Sequence, residues 1–143
     1  MYLLDTNVLS ELRKAKAGKA DKRVVAWAAA VPAANLFLSV VTVLEIEIGI
    51  LLVERRDASQ GAVLRTWLED HVLPAFEDRV LPVDTAVARR SAGLHVPDPR
   101  PVRDSLIAAT ALVHGLTLVT RNVSDFDHSG VRLVDPWRKP ART

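Results

Sequence analysis

Cysteine is absent from the chain, which excludes disulfides, zinc-thiolate sites and thiol nucleophiles together. The four histidines, His71, His95, His114 and His128, show no H-x-x-x-H or related ligand spacing, so zinc chemistry is not expected. Aromatic residues make up 5% of the sequence. Stacking platforms for bases are therefore few: Trp27, Trp67 and Trp137, the first two on helical core patterns. The six glycines never form G-x-G-x-x-G, and no G-x-S-x-G elbow occurs, which removes two common signatures of dinucleotide binding and serine hydrolysis. No apolar run reaches the ~18 to 20 residues of a membrane span. Asp5 interrupts the first apolar residues far too early for a signal peptide, so a cytoplasmic protein without a membrane partner is expected.

What is present is a chain of 143 residues, 49% of them hydrophobic, enough to bury a core as a single domain over 1–143. Tyr2 to Leu4 reads as a short buried strand and Asn7 to Leu12 as a brief helix. A helix is expected from Asp21 to Val31, stopped by Pro32, then a strand from Leu36 to Ser39 and a deep helix from Thr42 to Val53. Ala62 to Leu73 has helical spacing closed by Pro74, and Val80 to Val83 gives an edge strand, because Pro82 suits no central one. Asp84 caps a helix to Gly93, and three prolines stiffen the loop from Val96 to Val102. Asp104 opens a helix to His114 with Gly115 just past its end, followed by strands at Leu116 to Thr120 and Val131 to Val134. Strands alternating with helices imply an α/β fold with a mainly parallel sheet, whose ligands bind beyond the carboxyl ends of the strands.

Four acids fall where strands end or helices begin: Asp5, Glu45, Asp104 and Asp125. Gathered in one place they would repel, and a shared hard cation is the natural way to keep them all ionised. Mg²⁺ and Mn²⁺ prefer such oxygen ligands. Each acid also has a purely structural explanation. Asp5 can turn the chain, Asp104 can cap its helix, Asp125 can form an Asx turn, and Thr42-Val43-Leu44-Glu45 is a capping-box pattern. Apart from these acids the charge is distinctly basic: Arg13, Lys14, Lys16, Lys19, Lys22 and Arg23 share a stretch with one acid, Asp21, and Arg138, Lys139 and Arg142 lie near the C-terminus. Such a balance suits a polyanionic partner, although charge runs are as often solvated loops and tails.

Read in order, Leu3-Leu4-Asp5-Thr6-Asn7-Val8-Leu9, the block from Leu38 to Gly49 around Glu45, Asp104 to Leu112, and Thr120-Arg121-Asn122-Val123-Ser124-Asp125-Phe126 resemble the PIN-domain ribonucleases, and in particular the VapC-like toxins of prokaryotic toxin–antitoxin pairs. In the second block Glu45, not Glu47, matches the family's acid. The resemblance implies a three-layer α/β/α PIN-like domain and a metal-dependent endoribonuclease, with Asp5, Glu45, Asp104 and Asp125 around Mg²⁺ or, in its place, Mn²⁺. Asn7, Thr120 and Asn122 match nearby polar positions that orient acids or water. It further implies an RNA substrate, a VapB-like antitoxin and a homodimer.

Rival classes fit less well. In the haloacid-dehalogenase-like phosphatases a second aspartate follows the first by two positions, and here that place holds Asn7. A response-regulator receiver needs an acidic pair after its first strand, which is missing. The serious alternative is a catalytically silent PIN-like module that binds RNA or protein.

Overall fold

The computed structural model describes residues 1–138. The basic residues Lys139 and Arg142 fall outside the described residues. Five parallel strands form the sheet: β1 (Tyr2–Leu4), β2 (Leu36–Ser39), β3 (Val80–Leu81), β4 (Thr117–Val119) and β5 (Leu133–Val134), in the order β3-β2-β1-β4-β5. Seven α-helices are described: α1 (Thr6–Arg13), α2 (Lys22–Ala30), α3 (Val40–Arg56), α4 (Ala58–Thr66), the single turn α5 (Leu73–Ala75), α6 (Thr85–Leu94) and α7 (Val102–His114).

The two-residue period of a strand makes this a three-layer structure. On β1, Leu3 faces one core and Leu4 the other; on β4, Leu118 and Val119 divide in the same way. One core is completed by Val8 and Leu9 of α1, Val24 of α2, and Ile46 and Ile50 of α3. The opposite core holds Ile107, Ala108 and Ala111 of α7. Both faces are covered, so the central strands are apolar throughout rather than alternating. Each fully buried leucine, such as Leu3 or Leu118, contributes about 2 kcal/mol.

Several boundaries differ from the sequence expectation, each for a local reason. Ser39 caps α3, its hydroxyl accepting from the Val41 N–H at 3.0 Å. The helix therefore starts at Val40, Thr42 is already inside it, and the capping box read for Thr42 to Glu45 does not form. Likewise α7 begins at Val102 behind Pro101, so Asp104 sits within the first turn instead of capping it. A carboxylate there is still favoured by the helix dipole.

The helix expected to close at Pro74 runs past it, through a wider π-helical stretch over Trp67–Val72 and then α5. A proline supplies no N–H for the ordinary ladder, and the widened turn accommodates that loss. β3 is shorter than expected and ends at Leu81, immediately before Pro82, and it lies at the sheet edge where a proline is tolerated. The basic stretch after α1 is folded as well, with a tight turn over Ala15–Ala17 closed by Gly18 at φ 70°. Among the described residues no helix is long and apolar enough to cross a membrane.

The position of the site follows from strand order. From β1 the chain adds β2 and β3 on one side and β4 and β5 on the other. That reversal opens a crevice beyond the carboxyl ends of β1 and β4.

Candidate active site

Register brings Asp5 and Thr120 together. Leu4 pairs with Val119, and the Asp5 N–H donates to the Val119 carbonyl at 2.9 Å, so the next residues of both strands leave the sheet side by side. Asp5 caps α1, accepting from the Thr6 N–H at 2.8 Å, while its other oxygen accepts from the Thr120 hydroxyl at 2.8 Å. Asn7 adds a longer bond to the same oxygen at 3.4 Å and another to Thr120 at 3.3 Å. Thr120 also receives the Asn122 N–H at 3.0 Å. Asp5 is thus a buried carboxylate gripped on both oxygens.

Glu45 projects from α3, where its Oε1 accepts from the Thr6 hydroxyl at 2.7 Å and its Oε2 lies 3.8 Å from the Arg103 guanidinium. Glu47, two residues on, turns the other way and pairs with Arg65 of α4. Asp104 is half-buried, and among the described residues no hydrogen bond holds its carboxylate. A cleft of about 570 Å³ is lined by Asp5, Glu45 and Asp104, with Asn7 and Asn122 beside them. Asp125 stands in the short turn Val123–Asp125, exposed and outside that lining.

The carboxylates nevertheless feel one another. Burial pushes the Asp5 carboxyl above its ordinary value; the Thr120 and Thr6 donors oppose this, and the charges of Glu45 and Asp104 add to the rise. Asp104 is raised too, first by burial, then by the charges of Asp125 and Glu45, with Arg103 pulling the other way. Glu45 thus adds its charge to the surroundings of both Asp5 and Asp104, and Asp125 adds its charge to those of Asp104 from outside the cleft lining.

This oxygen-only donor set, mutually repelling and with Arg103 the cation that pairs with Glu45 among the described residues, is the chemistry that a hard divalent ion neutralises. Among the described residues no group of three or more acids or histidines is gathered tightly enough to hold an ion by itself. Mg²⁺ needs no such cage, since it keeps several waters and takes one or two carboxylates.

Thr6 and Arg103 were not singled out by the sequence reading. Thr6 adjoins Asp5, but nothing in the sequence indicates that its hydroxyl reaches an acid 39 residues away. The cleft also has a basic rim of Arg13, Lys14 and Arg121, with Trp137 beside it.

Comparison with known proteins agrees with this architecture. The PIN domain profile matches residues 2–129. VapC ribonuclease Y4jK of Sinorhizobium fredii is 37% identical over 142 residues, covering 96% of this chain and 98% of the relative. Toxin FitB of Neisseria gonorrhoeae is 36% identical over 143 residues, covering 96% of this chain and 99% of its own. The solved structure of FitAcB from Neisseria gonorrhoeae superposes with a TM-score of 0.87 at 35% identity, over 97% of this chain and 100% of that one. By profile, sequence and fold alike, the chain belongs to the PIN-domain family.

Proposed function

We propose that this chain is the ribonuclease toxin of a toxin–antitoxin pair, an endoribonuclease that hydrolyses RNA phosphodiester bonds with the help of Mg²⁺ or Mn²⁺. The observation that carries the reading is the convergence of Asp5, Glu45 and Asp104 on one cleft, with Asp125 adding its charge to that of Asp104. Relatives named as a VapC ribonuclease and a toxin, each matched along nearly the whole chain, support it.

Asp5, Glu45 and Asp104 would hold the ion, with Asp125 contributing negative charge. When bound, such an ion makes water a better nucleophile near neutral pH and offsets charge on a phosphodiester. The protein's own residues supply orientation. Thr120 and the Thr6 N–H fix the Asp5 carboxylate, the Thr6 hydroxyl fixes Glu45, Asn7 ties Thr120 to α1, and Asn122 ties it to the loop that follows β4. Among the described residues no histidine lines the cleft.

An RNA substrate places the action in the cytoplasm, and a VapB-like antitoxin is the partner that would let a cell tolerate the enzyme. We also read 1–143 as a single PIN-like unit that pairs with a second copy. The exposed apolar face of α3, with Leu44 at 50%, Leu51 at 55% and Leu52 at 59% exposure, supports that pairing. The test is cleavage of total cellular RNA with Mg²⁺ or Mn²⁺, beside a chelator and Asp5→Asn, with the cut termini mapped. Discrete metal-dependent cuts absent from the variant are expected. No cuts with either metal would leave the silent RNA- or protein-binding module as the better reading.

A further inference from the structure

The floor of the cleft is acidic and its rim is basic, and one rim cation is held differently from the rest. Lys14 is paired with Glu11 at 2.9 Å, whereas among the described residues neither Arg13 nor Arg121 has a carboxylate partner. Arg121 is exposed, yet it is fixed at both ends. Its N–H donates to Asn7 Oδ1 at 3.3 Å, and its guanidinium lies over the Trp137 ring, 5.2 Å from the centroid.

The residue that carries the ring is anchored through its backbone. The Trp137 backbone N–H donates to Asp135 at 2.9 Å and its carbonyl accepts from Arg23 at 3.2 Å, while the indole packs partly buried against the core that contains Val24 and Val119. The contact with the ring offsets part of the conformational entropy lost in ordering the Arg121 side chain. Seated on the ring, the guanidinium keeps its planar fork of donors available for an anion beside the carboxylates.

Resting on the ribonuclease reading above, we infer that Arg121, seated on Trp137, grips the backbone phosphate of the RNA nucleotide next to the scissile bond, with Arg13 also lining the cleft. Arg121 is one residue from Thr120, which holds Asp5, so the grip acts at a fixed reach from the reacting phosphodiester. Arg121 and Trp137 are positioning residues: they place the strand and do not touch the bond that breaks. Their effect belongs in binding and its salt dependence rather than in the chemical step.

The experiment measures binding of a labelled single-stranded RNA of about ten nucleotides to the Asp104→Asn protein, in which cleavage is suppressed, over a series of salt concentrations. Adding Arg121→Gln should weaken binding about tenfold and reduce the salt slope by about one. Arg121→Lys should restore the slope but only part of the affinity, since it lacks the planar fork. Trp137→Leu should weaken binding severalfold and Trp137→Phe should largely preserve it, with melting curves confirming that each variant folds. Arg89→Gln, on the exposed face of α6, serves as the control and should leave affinity unchanged. In the otherwise active protein Arg121→Gln should raise KM and spare kcat. Unchanged affinity and slope in Arg121→Gln, or a loss confined to kcat, would overturn the subsite while leaving the nuclease reading intact. A parent protein that neither binds nor cleaves RNA would remove both.

Discussion

The Thr120 hydroxyl donates to Asp5 Oδ2 at 2.8 Å across 115 positions of sequence, and it is the shortest side-chain donor on that oxygen, Asn7 standing off at 3.4 Å. Thr120→Val keeps the shape and removes the donor. A buried carboxylate then loses a charge-assisted bond, which should cost about 2 kcal/mol of stability. RNA cleavage should fall by about tenfold or more as Asp5 loses its orientation, whereas Thr120→Ser should recover most of both. Urea melts and single-turnover cleavage of the three proteins check this; wild-type rates in Thr120→Val would remove Thr120 from the site.

Asp104→Asn should abolish cleavage yet stabilise the metal-free protein. The folded carboxyl titrates above its ordinary value of 3.8, chiefly through burial and then through Asp125 and Glu45. The native state thus binds this proton more tightly than the unfolded chain does. The resulting stability is fully present below the unfolded value and is lost as pH rises through the raised folded one. The amide never ionises and escapes that loss. Because the group is half-buried and screened, the gain at neutral pH should be small, read as a modest rise in Tm over the parent. It should vanish in melts at pH below 3.8.

Chain order and type of element were legible from hydrophobic period and punctuation, because β1, β2, β4 and α7 bury apolar residues with the regularity of their own geometry. Helix starts were less legible. Ser39 and Thr42 are both credible caps in sequence, and only the end of β2 decides that Ser39 takes the role. Asp5 and Asp104 stand out as candidates because they sit at a strand end and in a helix first turn, whereas Glu45 lies in the second turn of α3 and Asp125 in a short turn beyond β4, and these two stand out through the block resemblance. Their couplings could not be named in advance. The Thr6 bond to Glu45 and the Arg121 contact with Trp137 depend on how α1, α3 and the C-terminal turn pack around the sheet, which no local pattern encodes.

A divalent ion should stabilise the native protein, because the unfolded chain disperses the carboxylates. At a concentration a hundredfold above its Kd, Mn²⁺ should contribute about 2.7 kcal/mol, seen as a rise of several degrees in Tm. Asp104→Asn should lose most of that rise. Asp125→Asn should keep part of it, since Asp125 lies outside the cleft lining. A melting temperature unmoved by saturating Mn²⁺ or Mg²⁺ would remove the ion from the mechanism.

Gly61→Ala separates the scaffold from the site. A Cβ at Gly61 would stand 2.7 Å from the Glu54 Cα, so α4 can approach α3 this closely only without a side chain there. Alanine would gain about 1 kcal/mol in helix propensity over glycine. The collision is with backbone, however, and relieving it means moving a helix that Arg65 also ties to Glu54 and Glu47. Overpacking of this kind costs about 1 to 3 kcal/mol, so the balance should be destabilising by about 1 kcal/mol, or about 3 °C in Tm. Glu45 lies nine residues before Glu54 on α3, about 13 Å along the helix, and should stay in place. Cleavage well below the melting transition should therefore remain near the parent rate; a lower Tm together with inactivity at low temperature would show that the α3–α4 packing positions Glu45.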